Sequence, residues 1–238
     1  MLEIPLTKEE MINAVLETLR KNNLRDAYIR LIVTRGVGDL GLDPRKCEKP
    51  TVIIITDAIR LHSKEAKEKG LRTLIVWVKR DPVDATSHEV KSLNYMNSIL
   101  GKIEANIAGF DEAICLDKNG HVSEGVAENI FIVKDEKLIT PPTATGALVG
   151  ITRNVIIKIA EKLGYKVIET NITPTDLFTA NEAFFTGTAA EVVPIVEVNK
   201  RKIGDGKPGP ITKRLMQEFE KIVRDPKEGV PVYEGEQR

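Results

Sequence analysis

Apolar residues recur along this chain with two different periods. Met11, Val15, Leu16 and Leu19 fall on one helical face behind Thr7-Lys8-Glu9-Glu10, which has capping-box spacing, so residues 8–21 are expected as a helix. Ala27 to Val33 alternates as a strand does, and glycines 36, 38 and 41 then mark a tightly bent loop. Val52 to Thr56 and Thr73 to Val78, both rich in β-branched residues, read as two more strands. Asp81-Pro82-Val83-Asp84 is polar and Pro-broken, which suits a linker. Beyond it Leu93, Met96, Leu100 and Ile103 return to helical spacing, predicting a helix over Ser92 to Ala108 that begins just after Lys91. Glu112 to Leu116 and Asn129 to Val133 read as strands, separated by the Asp117-Lys118-Asn119-Gly120 turn and the Ser123-Glu124-Gly125 stretch. An amphipathic helix over Ile151 to Leu163 ends on Gly164. Strands at Tyr165 to Glu169, Ala183 to Thr186 and Val193 to Val198 precede a last helix over Pro210 to Val223.

Interleaved strands and helices predict an α/β (α+β) fold in two parts. A small α/β domain is expected over residues 1–83, a linker over 84–89, and a larger β-rich domain with flanking helices over 90–238. With 42% hydrophobic residues in 238, a sizeable core is available. The 35 acidic and 35 basic residues cancel, which argues against a nucleic-acid partner, since that needs a basic excess on one face. The longest apolar runs, such as Thr51 to Thr56 and Leu74 to Val78, are strand-length, so no membrane span is expected. No basic-then-apolar leader opens the chain, and Cys47 and Cys115 sit in unrelated settings, which together suit the cytoplasm. His62, His88 and His121 are scattered, so no metal site is expected. The abundance of Lys, Glu and Ile suits a thermophile.

Four short segments carry candidate chemistry. In His88-Glu89-Val90-Lys91-Ser92-Leu93-Asn94-Tyr95, a lysine at the mouth of an apolar helix can be partly desolvated, which favours a neutral, nucleophilic amine. Alone it would be read as a surface lysine. In Val122-Ser123-Glu124-Gly125-Val126-Ala127-Glu128-Asn129-Ile130-Phe131, the carboxylate of Glu124 could hold a pyridine nitrogen protonated, although by itself such a residue is more often a solvated turn residue. Gly146-Ala147-Leu148-Val149-Gly150-Ile151-Thr152-Arg153 opens a helix whose free N–H groups and positive dipole end suit a phosphate. Thr186-Gly187-Thr188-Ala189-Ala190-Glu191 is a small-residue turn after a strand, able to offer hydroxyl and amide donors to an anion.

Taken in order, Lys-Ser-Leu-Asn-Tyr, Ser-Glu-Gly with Glu-Asn-Ile-Phe, Gly-Ile-Thr-Arg and Gly-Thr-Ala-Ala-Glu resemble the motifs of class IV (fold-type IV) aminotransferases, which use pyridoxal 5′-phosphate. The resemblance implies that Lys91 binds the cofactor covalently and, once freed by substrate, carries the proton that transamination moves. It implies that Tyr95 hydrogen-bonds the cofactor's phenolic oxygen and that Glu124 pairs with its ring nitrogen. Leu148 would pack on the ring, while Gly150 opens the turn whose Ile151 and Thr152 amides, with the Thr188 hydroxyl, hold the phosphate. Thr188 and Ala189 amides would also receive the substrate α-carboxylate. In the small domain, Ala27-Tyr28-Ile29-Arg30 and Arg35-Gly36-Val37-Gly38-Asp39-Leu40-Gly41-Leu42 resemble the substrate-side strand and loop. Tyr28 would then face a substrate carboxylate and Arg30 would read the distal carboxylate of glutamate or 2-oxoglutarate.

Gly-Thr-Ala-Ala-Glu is typical of branched-chain enzymes, whereas D-amino-acid aminotransferases and aminodeoxychorismate lyases usually differ there. The resemblance therefore implies L-leucine, L-isoleucine and L-valine as donors, 2-oxoglutarate as acceptor and a homodimer or higher homo-oligomer. An aminodeoxychorismate lyase of the same fold, or a truncated inactive chain, are the alternative readings. Family members usually begin with further strands, a helix and a phosphate-binding arginine before the point matching Met1, so a shortened start and an uncovered sheet edge are expected.

Overall fold

The structure is a computed structural model that describes residues 2–58, 63–86 and 88–233, so that His62 lies outside it. Two compact units divide the chain, one of Met1–Arg60 with Asp225–Arg238 and one of Leu61–Arg224.

In the first unit, α1 (Lys8–Lys21) opens on the expected capping box. The Thr7 hydroxyl accepts from the Glu10 N–H at 3.2 Å and the Glu10 carboxylate accepts from the Thr7 N–H at 2.8 Å. β1 (Tyr28–Thr34) and β2 (Thr51–Asp57) form a two-stranded antiparallel sheet. α1 packs against β2, yet Ile29, Leu31, Ile53 and Ile55 stay exposed, so the sheet is only partly covered within this unit.

The second unit begins with α2 (Lys64–Lys69), β3 (Leu71–Lys79), α3 (Met96–Ile107), β4 (Glu112–Leu116), β5 (Val122–Gly125), β6 (Asn129–Lys134) and β7 (Lys137–Thr140). It continues with α4 (Ile151–Lys162), β8 (Val167–Glu169), α5 (Pro174–Phe178), β9 (Glu182–Gly187), β10 (Glu191–Val198), β11 (Arg201–Lys202) and α6 (Pro210–Arg224). The strands make one nine-stranded sheet in the order β5-β4-β3-β10-β9-β6-β7-β8, with β11 on β10. β3 runs parallel to both β4 and β10, and β7 to β8; the other pairs are antiparallel. Three residues connect β5 to β6, and the Gly125 N–H donates to the Glu128 carbonyl at 2.7 Å. The first strand of that order is thus tied to the sixth, and the sheet curls.

Alternation along β6 and β9 sends side chains to both faces. Ile130, Ile132 and Phe185 join Ile114, Val122, Val193 and Ile195 in one core. On the opposite face Phe131 and Phe184 stack with centroids 5.1 Å apart, beneath Ile156 of α4 and Leu215 of α6. Each such fully buried side chain stabilises by about 1.5–3 kcal/mol. At the start of α6 the buried Glu182 carboxylate accepts from the Ile211 N–H at 3.0 Å and from the N–H and hydroxyl of Thr212, both at 2.7 Å. A negative charge there meets the positive end of the helix. α3 covers Val76, Val78, Ala113 and Cys115. Burial pushes the Cys115 thiol up to about 11, so it is an inert core group.

Three expectations change. The boundary does not fall near residues 81–88, because β3 is hydrogen-bonded between β4 and β10 and is integral to the larger sheet, while the chain from Asp225 onward groups with the first unit. α3 begins at Met96 rather than Ser92. The Ser92 N–H donates to the Val90 carbonyl and the Tyr95 N–H to that of Leu93, so Lys91 to Asn94 form turns and Tyr95 is the N-cap. Ser123-Glu124-Gly125 is part of buried strand β5 instead of a connecting stretch. No helix among the described residues is long and apolar enough to cross a membrane, and none of their His, Cys, Asp and Glu groups has a metal-holding arrangement.

Candidate active site

A cavity of about 330 Å³ opens in the second unit, within the range of small-molecule sites. Four separate stretches converge on it: the turn before α3, the β5–β6 connection, the N-terminus of α4 and the end of β9. Lys91, Tyr95, Glu124, Leu148, Gly150, Ile151, Thr152 and Thr188 all line it. Ala189 lies in the turn after β9, outside the lining. Tyr28 and Arg30 belong to the first unit, where they share one face of β1 opposite Asp57 and Ile55.

The floor is a buried charge network. Glu124, 6% exposed, places one oxygen, Oε1, 3.3 Å from Nη2 of Arg80, itself 3% exposed. Its other oxygen, Oε2, accepts from the Leu148 N–H at 3.0 Å and from Asn129 Nδ2 at 3.2 Å. Asn129 Nδ2 also donates to the Leu148 carbonyl at 2.8 Å, so one amide ties β6 to both the carboxylate and the segment before α4. Arg80 donates through Nη2 to the Gly125 carbonyl at 2.6 Å and through Nη1 to Ser98 Oγ at 3.1 Å. Burial pushes the Glu124 carboxyl above its usual range, against the pull of the Arg80 charge, the Leu148 N–H and Lys91.

The side wall is the start of α4. Its N-cap is Gly150, no side chain caps it, and its first-turn N–H groups are left for a ligand. Glycine is required there for space: a Cβ on residue 150 would lie 1.9 Å from Asn129 Oδ1. Thr152 is buried beside it, and the Thr186 hydroxyl, fully buried on β9, has no hydrogen-bond partner among the described residues. Arg153 of the same motif turns away into an ion pair with Glu169 at 2.6 Å and is structural.

Two features differ from the sequence reading. Lys91 is exposed and lies well ahead of α3, which starts at Met96, so it does not sit at the mouth of the helix; the non-helical segment before α3 brings Lys91 and Tyr95 to the cavity. Arg80 was not expected at all. Lys79-Arg80-Asp81 reads locally as the polar end of a strand, and its partners lie 18 to 45 residues away. Asn129 sat inside the Glu-Asn-Ile-Phe motif, but its two-way hydrogen bonding has no local signature.

The chain is similar to proteins of known family. Residues 1–198 match the family described as Amino-transferase class IV. A Methanocaldococcus jannaschii protein, provisionally named a branched-chain-amino-acid aminotransferase, is 56% identical over 233 residues, covering 98% of this chain and 79% of the relative. The crystal structure of the Escherichia coli branched-chain amino acid aminotransferase superposes with a TM-score of 0.89 at 37% identity, covering 92% of this chain and 73% of that one. That of a Thermoproteus uzoniensis branched-chain aminotransferase with norvaline also gives 0.89, at 38% identity over 98% and 78% of the two chains. A further branched-chain amino acid aminotransferase, complexed with N-(5′-phosphopyridoxyl)-L-glutamate, gives a TM-score of 0.86 at 36% identity, over 95% and 74%. The chain belongs to the class IV aminotransferases.

Proposed function

We propose that the cavity binds pyridoxal 5′-phosphate and that the chain transfers the amino group of L-leucine, L-isoleucine or L-valine to 2-oxoglutarate. The observation that carries this is the meeting of an amine, a buried carboxylate and an uncapped helix N-terminus in one cavity. The donor set suits the cofactor at both ends. The α4 amides, with the unpartnered Thr186 hydroxyl and with Thr188, fit a phosphate, and Glu124 fits a protonated ring nitrogen. When bound, the cofactor supplies an electron sink for the substrate's α-carbon.

The residues of the chain do the rest. Lys91 is the covalent anchor and carries the proton at the α-carbon. Tyr95 donates to the phenolic oxygen, Leu148 packs on the ring, and Gly150, Ile151 and Thr152 present the phosphate-binding turn. Thr188 and Ala189 are assigned to the substrate α-carboxylate, and Tyr28 and Arg30, neighbours on one face of β1, to carboxylate recognition. The two free cysteines fit the reducing cytoplasm.

The test is an absorbance titration. Added pyridoxal phosphate should raise a visible band that L-leucine bleaches and 2-oxoglutarate restores. A band indifferent to L-leucine, or no band, refutes the assignment.

A homo-oligomer is part of the same reading. Met96, Ile99, Leu100, Ile103 and Ile107 form an exposed apolar stripe along α3, and Trp77 on β3 is 73% exposed. Such a surface suits a second copy of the chain. Sedimentation velocity should give twice the chain mass or more, and Ile103→Glu should shift the population toward monomer; a monomeric wild type would refute it.

A further inference from the structure

We infer that Arg80 is a positioning residue whose fixed charge drives the shared proton of the Glu124–cofactor pair onto the ring nitrogen. This rests on the reading that the cavity holds pyridoxal phosphate with that nitrogen against Glu124.

The geometry divides the carboxylate's two oxygens. Oε2 is occupied by the Leu148 N–H and Asn129 Nδ2. Oε1 lies 3.3 Å from Arg80 Nη2, whose short hydrogen bond goes to the Gly125 carbonyl at 2.6 Å instead. Oε1 therefore keeps acceptor capacity for a donor in the cavity. The guanidinium cannot follow the carboxylate if it moves, because Ser98 Oγ and the Gly125 carbonyl hold its two terminal nitrogens. Gly146 packs against its stem so closely that a Cβ there would meet Arg80 Cγ at 2.7 Å.

A proton shared between Oε1 and a ring nitrogen has two resting places. On Oε1 it sits closer to the Arg80 charge; on the nitrogen it sits farther away. In a buried site that difference is only weakly screened, so Arg80 disfavours the protonated carboxyl and favours the protonated ring. The other charges acting on Glu124 are Lys91, which favours the carboxylate, and Glu128, which opposes it. Of these charges Arg80 is the one fixed at the carboxylate itself, 3.3 Å from Oε1. A carboxylate alone would bind the ring; the arginine decides where the proton rests.

The experiment is ¹⁵N NMR of the chain loaded with ring-¹⁵N pyridoxal phosphate, because pyridinium and neutral pyridine nitrogens resonate far apart. Wild type should show the pyridinium position at neutral pH. Arg80→Met, with cofactor bound, should shift the signal toward the neutral pyridine position. Arg80→Lys should restore the pyridinium position near neutral pH and lose it at alkaline pH as the substituted amine deprotonates, whereas wild type holds it. A pyridinium signal unchanged in Arg80→Met overturns the inference. If Arg80→Met does not fold, the Arg80→Lys titration decides, and an alkaline profile matching wild type overturns it. Absence of a bound-cofactor signal in wild type would instead refute the proposed function.

Discussion

Lys91→Ala should abolish transamination between L-leucine and 2-oxoglutarate and leave the fold unchanged. The loss expected from a positioned acid–base group alone is about 10²–10⁴-fold, and loss of the covalent anchor adds to it. The fold should survive because Lys91 is exposed and lies in a turn outside the sheet and helices. The two consequences are measured separately, turnover by a coupled assay and folding by thermal melting followed with circular dichroism. A variant that melts like wild type but keeps activity within tenfold would remove Lys91 from the chemistry. A variant that loses both would mean that the turn before α3, rather than the amine, had been disturbed.

What the sequence made legible follows from range. α1 was readable to the residue because the Thr7 and Glu10 capping contacts are three residues apart. Gly164 ends α4 with φ +84° through an equally local requirement. α3 was placed four residues early because Leu93 and Met96 have helical spacing even though Ser92 to Tyr95 form turns. The domain boundary failed for a longer-range reason. β3 carries no local mark of its partners, and its pairing with β10 joins residues 71–73 to 195–198. The site shows the same contrast. Lys91, Glu124 and the Gly150 turn could be found because their motifs are contiguous, and the cavity brings them together. Arg80 could not be, since nothing within ten residues explains a buried arginine. Its reason is Glu124, 44 positions on, at the end of an ion pair that only the curled sheet creates.

That pair also separates stability from function. Burial raises the Glu124 carboxyl despite Arg80, so ionising it in the folded cofactor-free protein costs more than in the unfolded chain. The sign follows: the stability linked to Glu124 is present at low pH, below its ordinary titration range, and is lost as pH rises through its raised folded value. At neutral pH burial of this carboxylate works against stability, and under the proposed function its role is to hold the cofactor's ring nitrogen. Glu124→Gln keeps the side chain's shape but leaves the Arg80 cation buried beside a neutral group, and should destabilise by about 3–5 kcal/mol. Turnover should fall by about 10²–10³-fold, the usual cost of removing one preorganised electrostatic partner. Replacing both groups, as Arg80→Met with Glu124→Leu, removes the uncompensated charge. Chemical denaturation should then show stability equal to wild type or higher by about 1–4 kcal/mol, while turnover stays as low as in Glu124→Gln. A double variant less stable than Glu124→Gln would make the pair a source of stability, and one that regained turnover would remove Glu124 from the reaction.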